Sequence, residues 1–163
     1  MSATPYQQGR VSDIPGVMQR LAEIGEFIKV NGPGHPDGIW CFNNLYADIT
    51  AKVLAGVNNK DYPDNGFMAS LDVAFANRYL DALRQGDAQQ GVPAPWRLLI
   101  DRRREPLAQI QFAAAGVNAH IDFDLAAAVV EVWLEGGGGP HDGDQHNTYQ
   151  QIDGVFAGEM SKL

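Results

Sequence analysis

The sequence predicts an all-α fold, a single-domain helical bundle of about five main helices. Apolar residues recur at three- and four-residue spacing through most of the 163 residues. Clusters of Gly, Pro, Asn and Asp separate these runs, and no stretch shows the apolar-polar alternation typical of a half-buried strand. A chain of this length can bury one sizeable core, so we expect one domain spanning residues 1–163.

The first two helices are predicted to begin near residues 14 and 39. Ser12 or Asp13 caps the first helix, which has Pro15 in its first turn and ends near the sequence NGP at 31–33. Residues 1–11 ahead of it are expected to be flexible. The loop 32–38, with His35 between glycines and prolines, is predicted to be a turn or the rim of a pocket. The second helix is predicted to extend to about Val57.

A third helix is predicted from just after Gly66 to about Arg84, followed by a short one around Trp96. Asp72 lies on the same side of the third helix as the apolar residues Met68 and Phe75, so its carboxyl group is predicted to point inward. The sequence GVPAP at 91–95 separates the third helix from the short one.

The longest helix is predicted from Pro106 to about Leu134, roughly 43 Å at 1.5 Å per residue. A Gly-rich linker at 136–143 should end it, and a last helix should begin near Asp144. His146, Gln150 and Asp153 form a polar stripe along that last helix. We expect the longest helix to be the central element of the bundle.

The most informative segment is GVNAHIDFDL at 116–125, within the longest helix, because it places His120 and Asp124 four residues apart. On a regular α-helix these two residues share one face, and Glu131 falls on the same face. Apolar rows are predicted to flank that face, with Ile110 on one side and Phe123 on the other. The opposite strip is predicted to face water; it contains Gln111, Asn118, Asp122 and Trp133.

Inward-facing ionisable groups require an explanation, because burying an unpaired charge costs several kcal/mol. Such groups are paired, protonated, bound to metal or open to a wet cavity, and they occur both at functional sites and in purely structural networks. A cavity reaching His120 would favour an enzyme or a binding protein. Dry packing against side chains would favour a structural network.

Three chemistries remain open for this face. In the first, Asp124 orients His120 as a general acid or base, with Asp72, Tyr79 or Tyr46 as second proton carriers. In the second, His120 and Asp124 bind zinc or iron with Asp72, His146 or Asp153, although neither H-E-x-x-H nor Glu-x-x-His pairs occur. In the third, the protein is a helical module that binds a small molecule or another copy of itself.

Composition excludes several classes of partner. A net charge of −8 argues against a nucleic-acid surface, which needs clustered basic residues. The single cysteine, Cys41, excludes an intrachain disulfide and fits a reducing cytoplasm. Neither a signal peptide nor a membrane span is expected. The final tripeptide, Ser-Lys-Leu, matches a peroxisomal address and is interpreted as chance.

Three segments together resemble a bacterial domain-of-unknown-function family. They are LDVAFANRYL at 71–80, the Pro95-Trp96 pair and GVNAHIDFDL at 116–125; the family signature has the form G-x-N-A-H-I-x-x-D-L. The resemblance covers most of the chain from about Asp13 to Phe156, and it implies an all-helical fold in which these segments lie near one another. The chain is shorter than typical members, which makes a homodimer an expectation.

These observations predict an enzyme that acts on a small organic molecule by general acid/base chemistry, such as cyclisation, isomerisation or hydrolysis. No organic cofactor, nucleic acid or membrane is expected as a partner. The predicted catalytic residues are His120, Asp124 and Asp72. The predicted substrate-binding residues are Glu131, Tyr79, Tyr46 and Trp96.

Overall fold

The computed structural model describes residues 4–32, 37–136 and 143–162, and these residues form six α-helices and no β-strand. The all-α prediction is therefore confirmed. His35, His141, most of the expected Gly-rich linker and Leu163 lie outside the described residues. The helices are α1 (Ile14–Asn31), α2 (Gly38–Asn59), α3 (Asn65–Asp87), α4 (Ala94–Asp101), α5 (Gln109–Glu135) and α6 (Gly143–Met160).

Aspartate side chains cap the first three helices. Asp13 accepts a hydrogen bond from the Gly16 amide at 2.7 Å at the start of α1, as the sequence predicts. Asp37 and Asp64 cap α2 and α3 in the same way, through the amides of the residues that follow. Each such cap contributes about 1 kcal/mol by satisfying an amide that the helix leaves unpaired.

The start of α2 is anchored by Arg103, which belongs to the basic run at 102–104. The Arg103 guanidinium donates to the buried Asp37 carboxylate at 2.7 Å, and its carbonyl accepts from the Gly38 amide at 2.8 Å. Only Arg102 pairs with the neighbouring Glu105, on the surface. This anchor fixes the helix that carries Phe42 and Tyr46 into the core.

The segment 4–11, expected to be flexible, packs against α1 and α3. A short 3-10 helix, Pro5–Gln7, buries the Tyr6 ring edge-on against Phe27, with ring centroids 5.6 Å apart. The Asn77 side chain, on α3, makes two hydrogen bonds to the backbone of Val11, at 2.9 and 3.0 Å. The Tyr6 and Val11 contacts are not visible in local sequence patterns, because their partners lie far along the chain.

Helix α5 is continuous but not uniformly α-helical. It begins at Gln109, three residues after the predicted start at Pro106, and contains a π turn at His120–Asp124. The turn is closed by a hydrogen bond from the Leu125 amide to the His120 carbonyl, five residues back. Before the π turn α5 packs mainly on α2 and α4; after it, α5 packs on α3.

The π turn explains why some residues predicted to lie on or beside the buried face of α5 are exposed. It adds one residue to a helical turn and so rotates everything after it by about 100° relative to a regular helix. Phe123, predicted to flank the buried face, is 47% exposed, and Val130, two turns farther along the same side, is 50% exposed. Glu131 likewise turns away from His120. Ile110, the other predicted flank, is exposed as well, but it lies before the π turn, which therefore does not account for it. The residues of α5 buried after the π turn are Leu125, Ala128, Val129 and Val132.

Helix α6 covers the groove between α2 and α3. The Thr148 hydroxyl accepts a hydrogen bond from the Asp64 amide at 2.9 Å. The Glu159 carboxylate bonds Lys162 on its own chain end, at 2.7 Å, and Lys52 on α2. Four residues of α6 are buried: Thr148, Ile152, Phe156 and Glu159.

One helix of the described chain, α5, is long and apolar enough to cross a membrane by length and composition alone. The sequence-based expectation of no such segment did not anticipate this. In the bundle, α5 packs on α2, α3 and α4, and it buries a histidine and a carboxylate. Of its most apolar 18-residue stretch, 44% is buried in the bundle.

Candidate functional site

The π turn places His120 and Asp124 in direct contact, as their spacing predicts. The His120 Nδ1 atom lies 3.2 Å from the Asp124 Oδ2 atom, and both side chains are buried. Trp96, on α4, donates its indole N–H to the same Oδ2 atom at 2.9 Å. One carboxylate oxygen thus serves two ring nitrogens from two helices.

Six aromatic rings enclose the His120 imidazole and leave it 0% exposed, and the surface grooves lined by Glu131, Trp133 and Tyr6 do not reach it. This dry packing is the arrangement expected of a structural network, and an enzyme or a binding site requires the rings to open. Phe75 is stacked on it with centroids 3.4 Å apart and planes within 5°, while Tyr46 approaches edge-on at 4.6 Å. These contacts fix the ring plane, because a buried imidazole stacked on one side and bounded edge-on cannot rotate freely. The remaining rings are those of Phe42, Tyr79, Trp96 and Phe156.

Gly116 allows Phe42 to reach the imidazole. A Cβ atom at residue 116 would lie 2.2 Å from the Phe42 Cδ2 atom and 2.9 Å from its Cβ atom, far inside van der Waals contact. The glycine of the GVNAHIDFDL segment is therefore a packing requirement between α5 and α2. Its spacing from His120, one helical turn, places the gap directly beside the site.

Several buried polar atoms at the site have no hydrogen-bond partner among the described residues. They include the His120 Nε2 atom and the Asp72 Oδ2 atom. The Tyr46 hydroxyl has the Thr50 side chain beside it, at the limit of hydrogen-bonding geometry. Buried polar atoms are satisfied in most native structures, and those that are not occur at catalytic or ligand sites more often than elsewhere. Arg78, a cation on the same helix as Asp72, bonds Glu131 at 2.9 Å.

Burial sets the protonation states at the site. It lowers the pKa of His120, an effect that the hydrogen bond and charge of Asp124 oppose. It raises the pKa of Asp72 to about 7. It also raises the pKa of Tyr46 well above its usual value, and the nearby charges of Asp72 and Asp124 add to that rise. The imidazole is thus neutral at physiological pH, whereas the carboxyl group of Asp72 titrates close to that pH.

Most of the predicted site residues meet here. Trp96, Tyr46 and Tyr79 all pack on His120, although the Tyr79 hydroxyl is directed to Asn43, to which it donates at 3.4 Å. Asp72 lies one helical turn before Phe75 on α3, near enough to Tyr46 to raise its pKa. The substrate-binding roles predicted for Trp96, Tyr46 and Tyr79 stay predictions.

Glu131, the remaining predicted substrate-binding residue, is not brought to His120. Its carboxylate pairs with Arg78 at 2.9 Å and with Arg10 at 3.3 Å, and it lines a surface groove of about 600 Å³. The π turn is the reason, because it rotates the last three turns of α5 away from the face of His120. The Glu131 network joins α5 to α3 and to the N-terminal segment.

The ligand set considered for zinc or iron is not assembled. Within residues 4–32, 37–136 and 143–162, no three His, Cys, Asp or Glu side chains lie close enough to share a metal ion. The His146 imidazole is exposed and contacts Gln150 at 3.0 Å, and Asp153 is exposed too. Asp124 contacts His120 through a hydrogen bond in place of a shared metal.

Sequence reasoning missed three phenylalanines that shape the site: Phe42, Phe75 and Phe156. Each was visible only as an apolar position on a helix, a signal shared with every core residue. Phe42 could have been identified from its partner, because a glycine inside a helix that is otherwise rich in good helix formers marks a close approach. Phe75 lies in the LDVAFANRYL segment.

The comparison with protein families agrees with the resemblance seen in the sequence. The model of a family of unknown function, DUF5995, matches residues 14–163, which include all six helices and every residue of the site. No curated protein and no solved structure matches the chain. The chain therefore belongs to the DUF5995 family of unknown function.

Proposed function

We propose that the protein is an enzyme that transforms a small, uncharged organic molecule by general acid/base chemistry at His120. The observation that carries the proposal is the His120 Nε2 atom, which is buried, has no partner among the described residues, and lies at the end of a chain of hydrogen bonds from Trp96 through Asp124. A histidine retained only for structure would normally have both ring nitrogens satisfied.

In the proposed reaction the neutral Nε2 atom takes a proton from the substrate. Asp124 stabilises the imidazolium that forms, because its carboxylate accepts the Nδ1–H bond. Asp72, which titrates near pH 7, or the Tyr46 hydroxyl then delivers a proton to a different substrate atom. His120 then returns its proton, directly or through water, to whichever of these two groups delivered one, so that an isomerisation or cyclisation leaves the protein unchanged. Such catalysis typically contributes about 10²- to 10⁴-fold in rate.

The surroundings of His120 favour an uncharged substrate. In the closed structure the rings pack directly on the imidazole, so a substrate fits only once the site opens. A charged ligand there would lose its hydration with little to replace it, because six aromatic rings surround the imidazole. The proposed substrate is mostly apolar, with one polar group that bonds the His120 Nε2 atom, the Asp72 carboxyl or the Tyr46 hydroxyl. The ring faces would bind its apolar part.

Substrate access requires movement of α6. His120 is fully enclosed, and Phe156 is the one of its six aromatic neighbours that α6 supplies. Few α6 side chains are buried, and the two lysines that pair with the buried Glu159 carboxylate are about half-exposed, so displacing α6 costs less than displacing any helix of the inner core. Opening at Phe156 is the proposed route to His120.

Labelling with diethyl pyrocarbonate, which acylates unprotonated imidazole nitrogens, tests the proposal. We expect slow acylation of His120, located by peptide mass spectrometry, at a rate well above that of global unfolding. Phe156→Ala should speed it about tenfold or more, because the side chain that covers the ring is removed. An uncharged compound that protects His120 from acylation is thereby identified as a ligand.

Two controls make the labelling result specific. Exposed His146 should react at the same rate in both proteins. Phe27→Ala truncates a phenylalanine that packs on Tyr6, outside the site, and should leave the His120 rate unchanged even though it also lowers stability. If His120 reacts only as fast as the slowest backbone amides exchange, its Nε2 atom is never accessible in the folded protein and the enzyme proposal is wrong.

We further propose that the chain forms a homodimer through α5, as a second candidate function compatible with the first. Phe123, Val130 and Leu134 are 47%, 50% and 77% exposed, and with Ala127 they follow the four-three-four spacing of a helix-pairing seam. Alanine between the larger residues would allow two helices to approach closely. A second copy presents the same seam, so the interface would be self-complementary.

Val130→Glu is expected to convert the dimer to a monomer, because it places a charge at the centre of the proposed interface. Analytical ultracentrifugation over a range of concentrations measures the change. Val30→Glu is the matched control: Val30 is 77% exposed on α1, far from the seam in sequence, and its replacement should leave the sedimentation unaltered. A wild-type protein that stays monomeric at the highest concentrations would contradict the dimer.

We also propose that the protein is located in the cytoplasm. Cys41 is the single cysteine of the sequence, and it is buried in α2. Burial raises the pKa of its thiol to about 11, so a reactive thiolate is not expected at neutral pH. The cysteine is thus a packing residue, as in proteins of reducing compartments.

A further inference from the structure

We infer that Trp96 is a positioning residue that holds His120 in the tautomer with the proton on Nδ1, leaving the Nε2 lone pair as the base. The inference rests on the proposed function for its catalytic meaning and deepens it by giving the direction of proton transfer. It is carried by the geometry at one atom, Asp124 Oδ2, which both Trp96 and His120 contact.

The Trp96 indole fixes the hydrogen-bonding role of the Asp124 Oδ2 atom. The Trp96 Nε1–H group is a hydrogen-bond donor only, so the Oδ2 atom 2.9 Å away must accept. A donor-only partner favours the ionised carboxylate, since a charged oxygen is the stronger acceptor. Trp96 is fully buried, so water does not compete for this hydrogen bond.

The role of the Asp124 Oδ2 atom in turn decides which nitrogen of His120 carries the proton. Because Oδ2 is held as an acceptor, the contact of 3.2 Å to His120 is a hydrogen bond only when Nδ1 carries the proton. A neutral imidazole carries one proton, so Nε2 is then unprotonated. Burial, which lowers the pKa of His120, keeps the ring neutral. The first proton transfer is consequently from substrate to His120.

The carboxylate could reach this state without Trp96, but its orientation would not be fixed. The aspartate at the end of a π turn has two chemically equivalent oxygens, and Trp96 selects one of them for both partners. The orienting role of Trp96 can be measured when the two terminal atoms of the side chain at residue 124 differ. An asparagine supplies that difference, because its oxygen accepts and its nitrogen donates.

Nitrogen-15 NMR of the imidazole rings provides the test, since protonated and unprotonated ring nitrogens have well-separated shifts. The chain has four histidines, so His120 can be assigned by substitution. In the wild type and in Asp124→Asn we expect the Nδ1–H tautomer, because Trp96 requires the amide oxygen at the shared position. In the double variant Trp96→Phe with Asp124→Asn, the amide is free to turn, and the Nε2–H tautomer should become populated.

The control is Trp133→Phe combined with Asp124→Asn. Trp133 lies on α5, and its indole nitrogen bonds no group among the described residues. This variant should keep the Nδ1–H tautomer, which distinguishes loss of the Trp96 hydrogen bond from loss of a tryptophan ring. Circular dichroism confirms that each variant is folded before its spectrum is interpreted.

Two results would overturn the inference. One is an Nε2–H tautomer in Asp124→Asn with Trp96 present; the other is an unchanged Nδ1–H tautomer in the folded Trp96→Phe double variant. Both readouts use the free protein, so they are independent of substrate. A correct tautomer in a protein whose His120 resists diethyl pyrocarbonate would remove the proposed function and leave the positioning role of Trp96 intact.

Discussion

Replacing Asp72 by asparagine is expected to raise the free energy of unfolding by about 2 kcal/mol at about pH 8. The buried carboxyl has a pKa of about 7 in the folded protein and titrates near 3.9 in an unfolded chain. Above pH 7 the folded state therefore holds an uncompensated charge, a cost of about 4 kcal/mol for three pKa units. The asparagine amide carries no charge and so avoids that cost. It also has no hydrogen-bond partner among the described residues of the core, and this second cost reduces the expected gain to about 2 kcal/mol.

The pH dependence gives the sign of this effect. A raised carboxyl pKa means that the stability contributed by Asp72 is full below about pH 4 and is lost as the pH rises to about 7. Asp72→Asn should remove this decline, so the two proteins should differ most in alkaline buffer and least in acid. His120 acts in the opposite sense, because its lowered pKa makes stability fall as the pH drops below about 6.5.

Denaturant titrations at several pH values measure the difference. Asp122→Asn is the matched control, since Asp122 is exposed on α5 and its replacement should change stability by less than about 0.5 kcal/mol. A stability gain that comes with loss of ligand protection at His120 would identify Asp72 as a residue retained for function at the expense of stability. Equal stability of wild type and Asp72→Asn at every pH would show that Asp72 has a partner in solution.

Gly116→Ala should destabilise the protein by about 3 kcal/mol, even though alanine is the better helix former by about 1 kcal/mol. The added methyl would meet the Phe42 ring at 2.2 and 2.3 Å, and it would also meet the Phe42 Cβ atom at 2.9 Å. A Cβ atom cannot swing away as the end of a side chain can. Helix α2 would have to separate from α5, which disturbs the stack around His120.

Gly158→Ala is the opposite case and serves as the control. Gly158 lies on the exposed side of α6, and a Cβ atom there would contact nothing within 4 Å. Its replacement should raise stability by about 0.5 to 1 kcal/mol, the ordinary gain of alanine over glycine in a helix. Thermal and urea unfolding measure both variants. A stable Gly116→Ala protein would mean that α2 and α5 lie farther apart than the structure places them.

The helices and their order could be predicted from sequence because each depends on local signals. The cap at Asp13, the proline of α1 and the glycine-rich breaks all act within a few residues. The contact between His120 and Asp124 was equally accessible, since both lie on one helix at a fixed spacing. The resemblance to a family of unknown function pointed to the same residues.

What could not be predicted depends on contacts between distant parts of the chain. The hydrogen bond from the Trp96 N–H group to Asp124 is not visible in any local pattern, because the two residues lie 28 positions apart. Glu131 was placed on the face of His120 by assuming a regular helix, and the π turn breaks that assumption. The π turn lies where α5 changes its main packing partner from α2 to α3, a contact between helices that the local sequence does not reveal.

The π turn also has a consequence for how sequences of this family should be aligned. A π turn holds one residue more than the α-helical turn it replaces, so a chain that lacks one residue between 120 and 124 would form a plain α-helix. Such a chain could bury the face before the turn or the face after it, but not both against the same neighbours. A one-residue gap at this place would therefore mark family members in which the His120 arrangement has been lost, even where the flanking residues are identical.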